Sequence, residues 1–136
     1  MFSVLCSCVF TFTIDDLIQI RLFHREDAYG DALADYCDSG PNEELKEKCL
    51  DFMETLEKWR KVSRALPLDI FIWRLMQETG YYAFMGALAD GIQRQVNLRS
   101  LVDRASAFCE NNGGNLYGFL QYARRQIGRA SCRERV

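Results

Sequence analysis

Apolar residues along this chain recur at three- and four-residue intervals, the period of a helix with one face turned inward. Thr13 stands ahead of the first such run as an N-cap, and Asp15 and Asp16 follow where the helix dipole favours negative charge. Leu17, Ile18, Ile20 and Leu22 give that helix its apolar surface. A short helix is predicted over 27–37, ending before Ser39-Gly40-Pro41, the strongest breaker in the chain. A long helix is predicted over 42–65. Its stripe is Leu45, Cys49, Phe52, Met53, Leu56 and Trp59, and lysines and glutamates fill the other face, with Glu54 and Lys58 in the favourable i, i+4 order.

Pro67 suits the first turn of the next helix, where a missing N–H is harmless. Leu68, Phe71, Ile72, Leu75 and Met76 then follow the amphipathic template without a gap. Gly80 is placed for a left-handed C-cap, and Tyr81, Tyr82 and Phe84 form an aromatic connector flanked by Gly86 and Gly91. Leu98, Leu101, Val102, Ala105, Phe108 and Cys109 are the predicted core stripe of the helix that follows, which Asn111-Asn112-Gly113-Gly114 ends. Leu116, Phe119 and Leu120 begin a last helix. No segment alternates with the period of a strand and carries hairpin chemistry. The expected fold is all-α, an irregular or orthogonal helical bundle.

The last ten residues, IGRASCRERV over 127–136, resemble a sequencing adapter translated in one frame. They are set apart from the helical segment 1–126 and from fold reasoning. Met1 reads equally as an internal methionine taken as a start. Without the tail, Lys plus Arg falls from 17 by three and Asp plus Glu from 19 by one. The net charge of −2 therefore becomes two units more negative. Net acidity argues against a general polyanion binder while leaving room for a local basic face.

Cys6, Cys8, Cys37, Cys49 and Cys109 are odd in number and irregular in spacing, so they read as ordinary buried thiols of a reducing cytoplasm. The apolar start, MFSVLCSCVFTF, lacks a basic leader region and is too short to span a bilayer; no membrane contact is expected. No GxxxxGK[ST] loop is present, and no nuclease set of paired carboxylates with a lysine can be assigned. Asp15-Asp16 and Glu43-Glu44 are more simply helix-start charges, and His24 a surface histidine.

One polar run remains: Gln93, Arg94, Gln95, Asn97 and Arg99. At helical spacing Gln95 and Arg99 share a face, as do Arg94 and Asn97. Such side chains can contact phosphate oxygens at a helix start. They can equally tie the aromatic connector to the neighbouring helix through buried hydrogen bonds, and the residues alone favour that second reading.

Several stretches carry a family resemblance. They are VLCSC at 4–8, FTIDDLIQIRL at 12–22, LPLDIFIWRLMQETGYYAFMGAL at 66–88, GIQRQVNLRSLVDRA at 91–105 and LYGFLQYARR at 116–125. Together they resemble the accessory helical subdomain of AddA, the helicase-nuclease subunit of AddAB recombination machines, and ETGYY with RQ-x-NLR is the most specific part. Departures are Cys6 and Cys8 for Arg and Pro, Val96 for a small residue, and Gly118 and Gln121 where basic residues are usual. The resemblance implies a fragment of a UvrD-like superfamily 1 helicase, folded as its 2B-like insertion. The parent would use ATP and Mg to unwind and degrade DNA at double-strand breaks, in the cytoplasm. Implied partners are duplex DNA, the remaining domains of the parent and an AddB-type subunit. The fragment itself would hold no cofactor or metal and no catalytic residue. It would guide duplex DNA, with Arg94, Gln95, Asn97 and Arg99 as the candidate contacts. The competing class is a free-standing helical protein-interaction module.

Overall fold

A computed structural model describes residues 2–5, 7–26 and 28–133, with side chains over 4–5, 7–26 and 28–126. Cys6, Cys132 and the start of the predicted 27–37 helix at Asp27 lie outside those described side chains. The described backbone is helical with no strand, as the spacing predicts. The helices are α1 (Phe2–Leu5), α2 (Ile14–Phe23), α3 (Tyr29–Ser39), α4 (Glu43–Ala65), α5 (Leu68–Glu78), α6 (Tyr81–Ala87), α7 (Gly91–Asn112) and α8 (Leu116–Arg133). They divide into two compact units, Met1–Lys61 with Thr79–Tyr81, and Val62–Glu78 with Tyr82–Val136.

In the first unit, local chemistry sets where the helices start. The Thr13 hydroxyl accepts from the Asp16 N–H at 3.1 Å while the Asp16 carboxylate accepts from the Thr13 N–H at 2.9 Å, a reciprocal capping box. Asn42 caps α4 in a similar way, its Oδ1 accepting from the N–H groups of Glu44 and Leu45. Burial pushes the Asp16 carboxyl up, but the Thr13 hydrogen bonds and the Lys48 ammonium, 3.4 Å away, outweigh it and hold the group below its ordinary value.

The core of this unit gathers Leu5 and Phe12 from the start of the chain, Leu17 and Ile20 from α2, Leu33 and Tyr36 from α3, and Leu45, Cys49 and Phe52 from α4. Phe52 meets Phe10 and Phe12 edge-on, with ring centroids 4.7 and 6.2 Å apart. Tyr29 carries α3 onto α2 by donating its hydroxyl to the Leu17 carbonyl at 3.2 Å. The Cys37 and Cys49 thiols sit against one another in this core, where burial raises both, Cys49 to about 12. Such thiols are poor nucleophiles. Cys8 is exposed and Cys109 half-buried, so burial of the cysteines is not uniform.

The apolar surface of α2 is divided between core and solvent. Ile14, Ile18 and Leu22 lie one turn apart and are exposed, while Leu17 and Ile20 are buried. Apolar residues occupy both sides of this helix.

In the second unit α5 packs on α7. Of the stripe predicted on α5, Leu68, Phe71, Ile72 and Met76 are buried and Leu75 is half-buried. Pro67 stands just outside that helix, not in its first turn, and its carbonyl accepts from the Phe71 N–H. Gly80 has φ +72°, the left-handed conformation expected there, and Gly113, within the predicted breaker, is left-handed too at φ +57°. The stripe predicted on α7 is only partly buried. Ala105 is inaccessible, Leu98, Val102, Phe108 and Cys109 are half-buried, and Leu101 is exposed, so helical spacing marks more apolar surface than the unit covers. Phe108, Phe119 and Tyr122 cluster where α8 returns against α7. The α8 backbone continues through 127–133 without a break at 126.

Candidate functional site

The polar run lies on the first three turns of α7, beside an aromatic segment that is itself a helix. The sequence predicts a connector over 81–87; the residues form the short helix α6 instead. A seven-residue stretch holding three aromatics and a glycine gives too little periodicity to announce a helix.

The α6–α7 corner is tight because two glycines meet there. A Cβ on Gly91 would strike the Gly86 carbonyl, and a Cβ on Gly86 would strike the Gln95 amide. Between them Asp90 adopts a left-handed conformation at φ 58°, and its side chain makes no capping bond to α7. The corner is thus fixed by backbone on backbone, with a non-glycine residue in a sparsely populated region.

From this corner the four candidate residues point to different partners. Gln95, half-buried, donates from Nε2 to the Tyr82 carbonyl at 3.2 Å. Arg99 donates from Nε to the Tyr82 hydroxyl at 2.7 Å, and its guanidinium carbon lies 5.7 Å from the centre of the same ring. Arg94 donates from Nε to the Ala89 carbonyl at 3.0 Å, in the turn that follows α6. Asn97 accepts from Gln93 Nε2 at 3.0 Å, one turn back on α7. The faces predicted from spacing hold: Gln95 and Arg99 converge on Tyr82, and Arg94 and Asn97 do not join them.

The expected tie between connector and helix is therefore present, with one difference. The sequence reading has it buried, yet Arg94, Asn97 and Arg99 are exposed and Gln95 only half-covered. An exposed guanidinium with one N–H engaged retains four donors on its terminal nitrogens.

Sequence reasoning missed the partner that organises the site. The Tyr82 ring stands edge-on to Trp73 of α5, centroids 5.1 Å apart and planes at 68°. Trp73, Arg99, Val102 and Asp103 line an open cleft of ≈ 330 Å³ on this side of α7. The aromatic run marked Tyr82 as packing material. No local signal linked it to an arginine seventeen residues on.

Elsewhere, His24 Nδ1 lies 2.6 Å from the Asp35 carboxylate, on a partly exposed surface. No group of three or more potential metal ligands occurs among the described residues. No helix among them is long and apolar enough to cross a membrane.

No family model matches the chain. Individual relatives do. The ATP-dependent helicase/nuclease A subunit of Alkaliphilus metalliredigens is 38% identical over 128 residues, covering 94% of this chain and 11% of that protein. Its namesake from Clostridium novyi is 42% identical over 129 residues, covering 92% of the chain and 10% of the relative. The chain is homologous to a small part of the helicase/nuclease A subunits. That of Geobacillus thermodenitrificans is 38% identical over 127 residues, with 90% of the chain and 10% of the relative aligned. The chain thus spans about a tenth of the helicase/nuclease A subunits it matches, and the α6–α7 corner belongs to that tenth.

Proposed function

We propose that this chain is an accessory, 2B-like segment of an ATP-dependent helicase/nuclease and that it guides duplex DNA. The observation that carries the reading is similarity to subunits of that name over about nine tenths of the chain. The parent hydrolyses ATP with Mg, then unwinds and degrades DNA during double-strand break repair and recombination. It works in the cytoplasm beside an AddB-type partner. Catalytic groups belong to the rest of the parent, and residues 127–136 stand outside the functional segment.

Within the segment, Arg94 and Arg99 supply positive charge to phosphate, and Gln95 and Asn97 border them. Exposure of the two guanidinium groups supports this assignment, and so does a rigid corner that limits their freedom. Contacts of this kind position a duplex without reading its sequence. Replacing both arginines with alanine in the complete subunit should weaken binding to a blunt duplex. For every phosphate no longer neutralised, the slope of log affinity against log salt should fall by about 0.9. Identical binding across a salt titration would reject the role. Recovering the reading frame on both sides tests the parent directly, since a free-standing interaction module would be flanked by no motor sequence.

A further inference from the structure

We propose that Tyr82 is the positioning residue for Arg99, turning a flexible surface arginine into a preset phosphate contact. The inference rests on the duplex-guiding reading above and adds the residue through which that contact is organised. Three observations converge on Tyr82. Its hydroxyl accepts from Arg99 Nε at 2.7 Å, its carbonyl accepts from Gln95 Nε2 at 3.2 Å, and its ring packs edge-on against Trp73 at 5.1 Å. One residue of α6 therefore grips two side chains of α7 and leans on α5.

The geometry matters because an exposed arginine otherwise samples many rotamers, and ordering it on binding opposes affinity. Engaging Nε fixes the guanidinium plane while leaving both terminal nitrogens, the pair that forms a two-pronged contact with a phosphate. Tyr82 also packs against Trp73, so it does not simply follow Arg99. Asp103, one turn further along α7, lines the same cleft as Arg99. Its carboxylate opposes an approaching phosphate and confines the approach to the side away from it.

The test uses the complete subunit carrying this segment and measures duplex affinity by fluorescence anisotropy, with melting temperature as the control. Tyr82→Phe keeps the ring and removes the acceptor. It should weaken binding by about three- to tenfold, the scale of one hydrogen bond to a charged group felt indirectly, without moving the melting temperature. Arg99→Lys keeps charge and loses the planar fork, so it should resemble Tyr82→Phe. Combining Tyr82→Phe with Arg99→Ala should lose no more than Arg99→Ala alone, because both act through one guanidinium. Asp103→Asn should tighten binding.

Additive losses, or a fall in melting temperature that accounts for the weaker binding of Tyr82→Phe, would overturn the positioning role. So would an unchanged affinity in Tyr82→Phe beside a clear loss in Arg99→Ala, an outcome that leaves the duplex-guiding reading intact. No loss in Arg99→Ala alone would overturn the positioning role, and no loss in the double arginine variant would remove that reading and the inference with it.

Discussion

Each of the two units of this chain is held together by its own means. The first closes around a contiguous apolar core to which α2, α3 and α4 all contribute. The second buries one face of α5 against α7, leaves much of the α7 stripe half-covered, and fastens α6 to α7 with one exposed and one half-buried hydrogen bond and a glycine contact. Burial supplies stability in proportion to the apolar area removed from water, whereas hydrogen bonds in solvent add little net stability and mainly fix geometry. The first unit is built to persist and the second to present its side chains in one arrangement.

The sharpest way to break that contrast is to hollow each unit in turn. Phe52→Ala removes a nearly inaccessible ring from the first core and should destabilise the chain by about 3–5 kcal/mol. Leu101→Ala, on the half-covered stripe of α7, should cost less than about 1 kcal/mol. Equal losses in chemical denaturation would mean that the two units do not differ as described.

A smaller effect is expected at the corner. Gly91→Ala sets a methyl against the Gly86 carbonyl, and backbone cannot yield as a side-chain tip can. The expected loss is about 1–3 kcal/mol, the range for overpacking, with a change in the near-ultraviolet signal of Trp73 and Tyr82. An unaltered melting curve and spectrum would show that the corner is not fixed by main-chain contact.

A modest effect, above that of Leu101→Ala, belongs to the α2 cap. Thr13→Ala should lose about 1 kcal/mol. Asp16 is held below its ordinary value of 3.8, so its contribution is complete above the unfolded value and is lost as pH falls through the lower folded one. The stability gap between the native chain and Asp16→Asn should therefore stay level above about pH 4 and narrow in more acid solution, where both carry a neutral side chain. A gap independent of pH down to acid unfolding would assign the effect to packing.

What could be read from sequence divides along the same lines. Thr13, Gly80 and Gly113 mark helix ends through chemistry local to each residue, and each stands where expected. Periodicity likewise selected the buried residues of α5. It overreached on α7, because spacing shows which side chains share a face but not whether anything covers it. Leu101 is exposed on that stripe. At the candidate site the arginines were legible as a polar run at a helix start. Tyr82 was not, since its link to Arg99 depends on the angle at which two helices meet.

That angle is set by Gly91 against the Gly86 carbonyl, with the Gln95 amide closing on Gly86. An interface designer could therefore diversify Ile92, Val96 and the other outward positions of early α7 without redirecting the helix. The same corner would tolerate almost no change at Gly91, which meets main chain, while Gly86 meets only the movable Gln95 amide, so a saturation library should show a permissive surface wrapped around one immovable point.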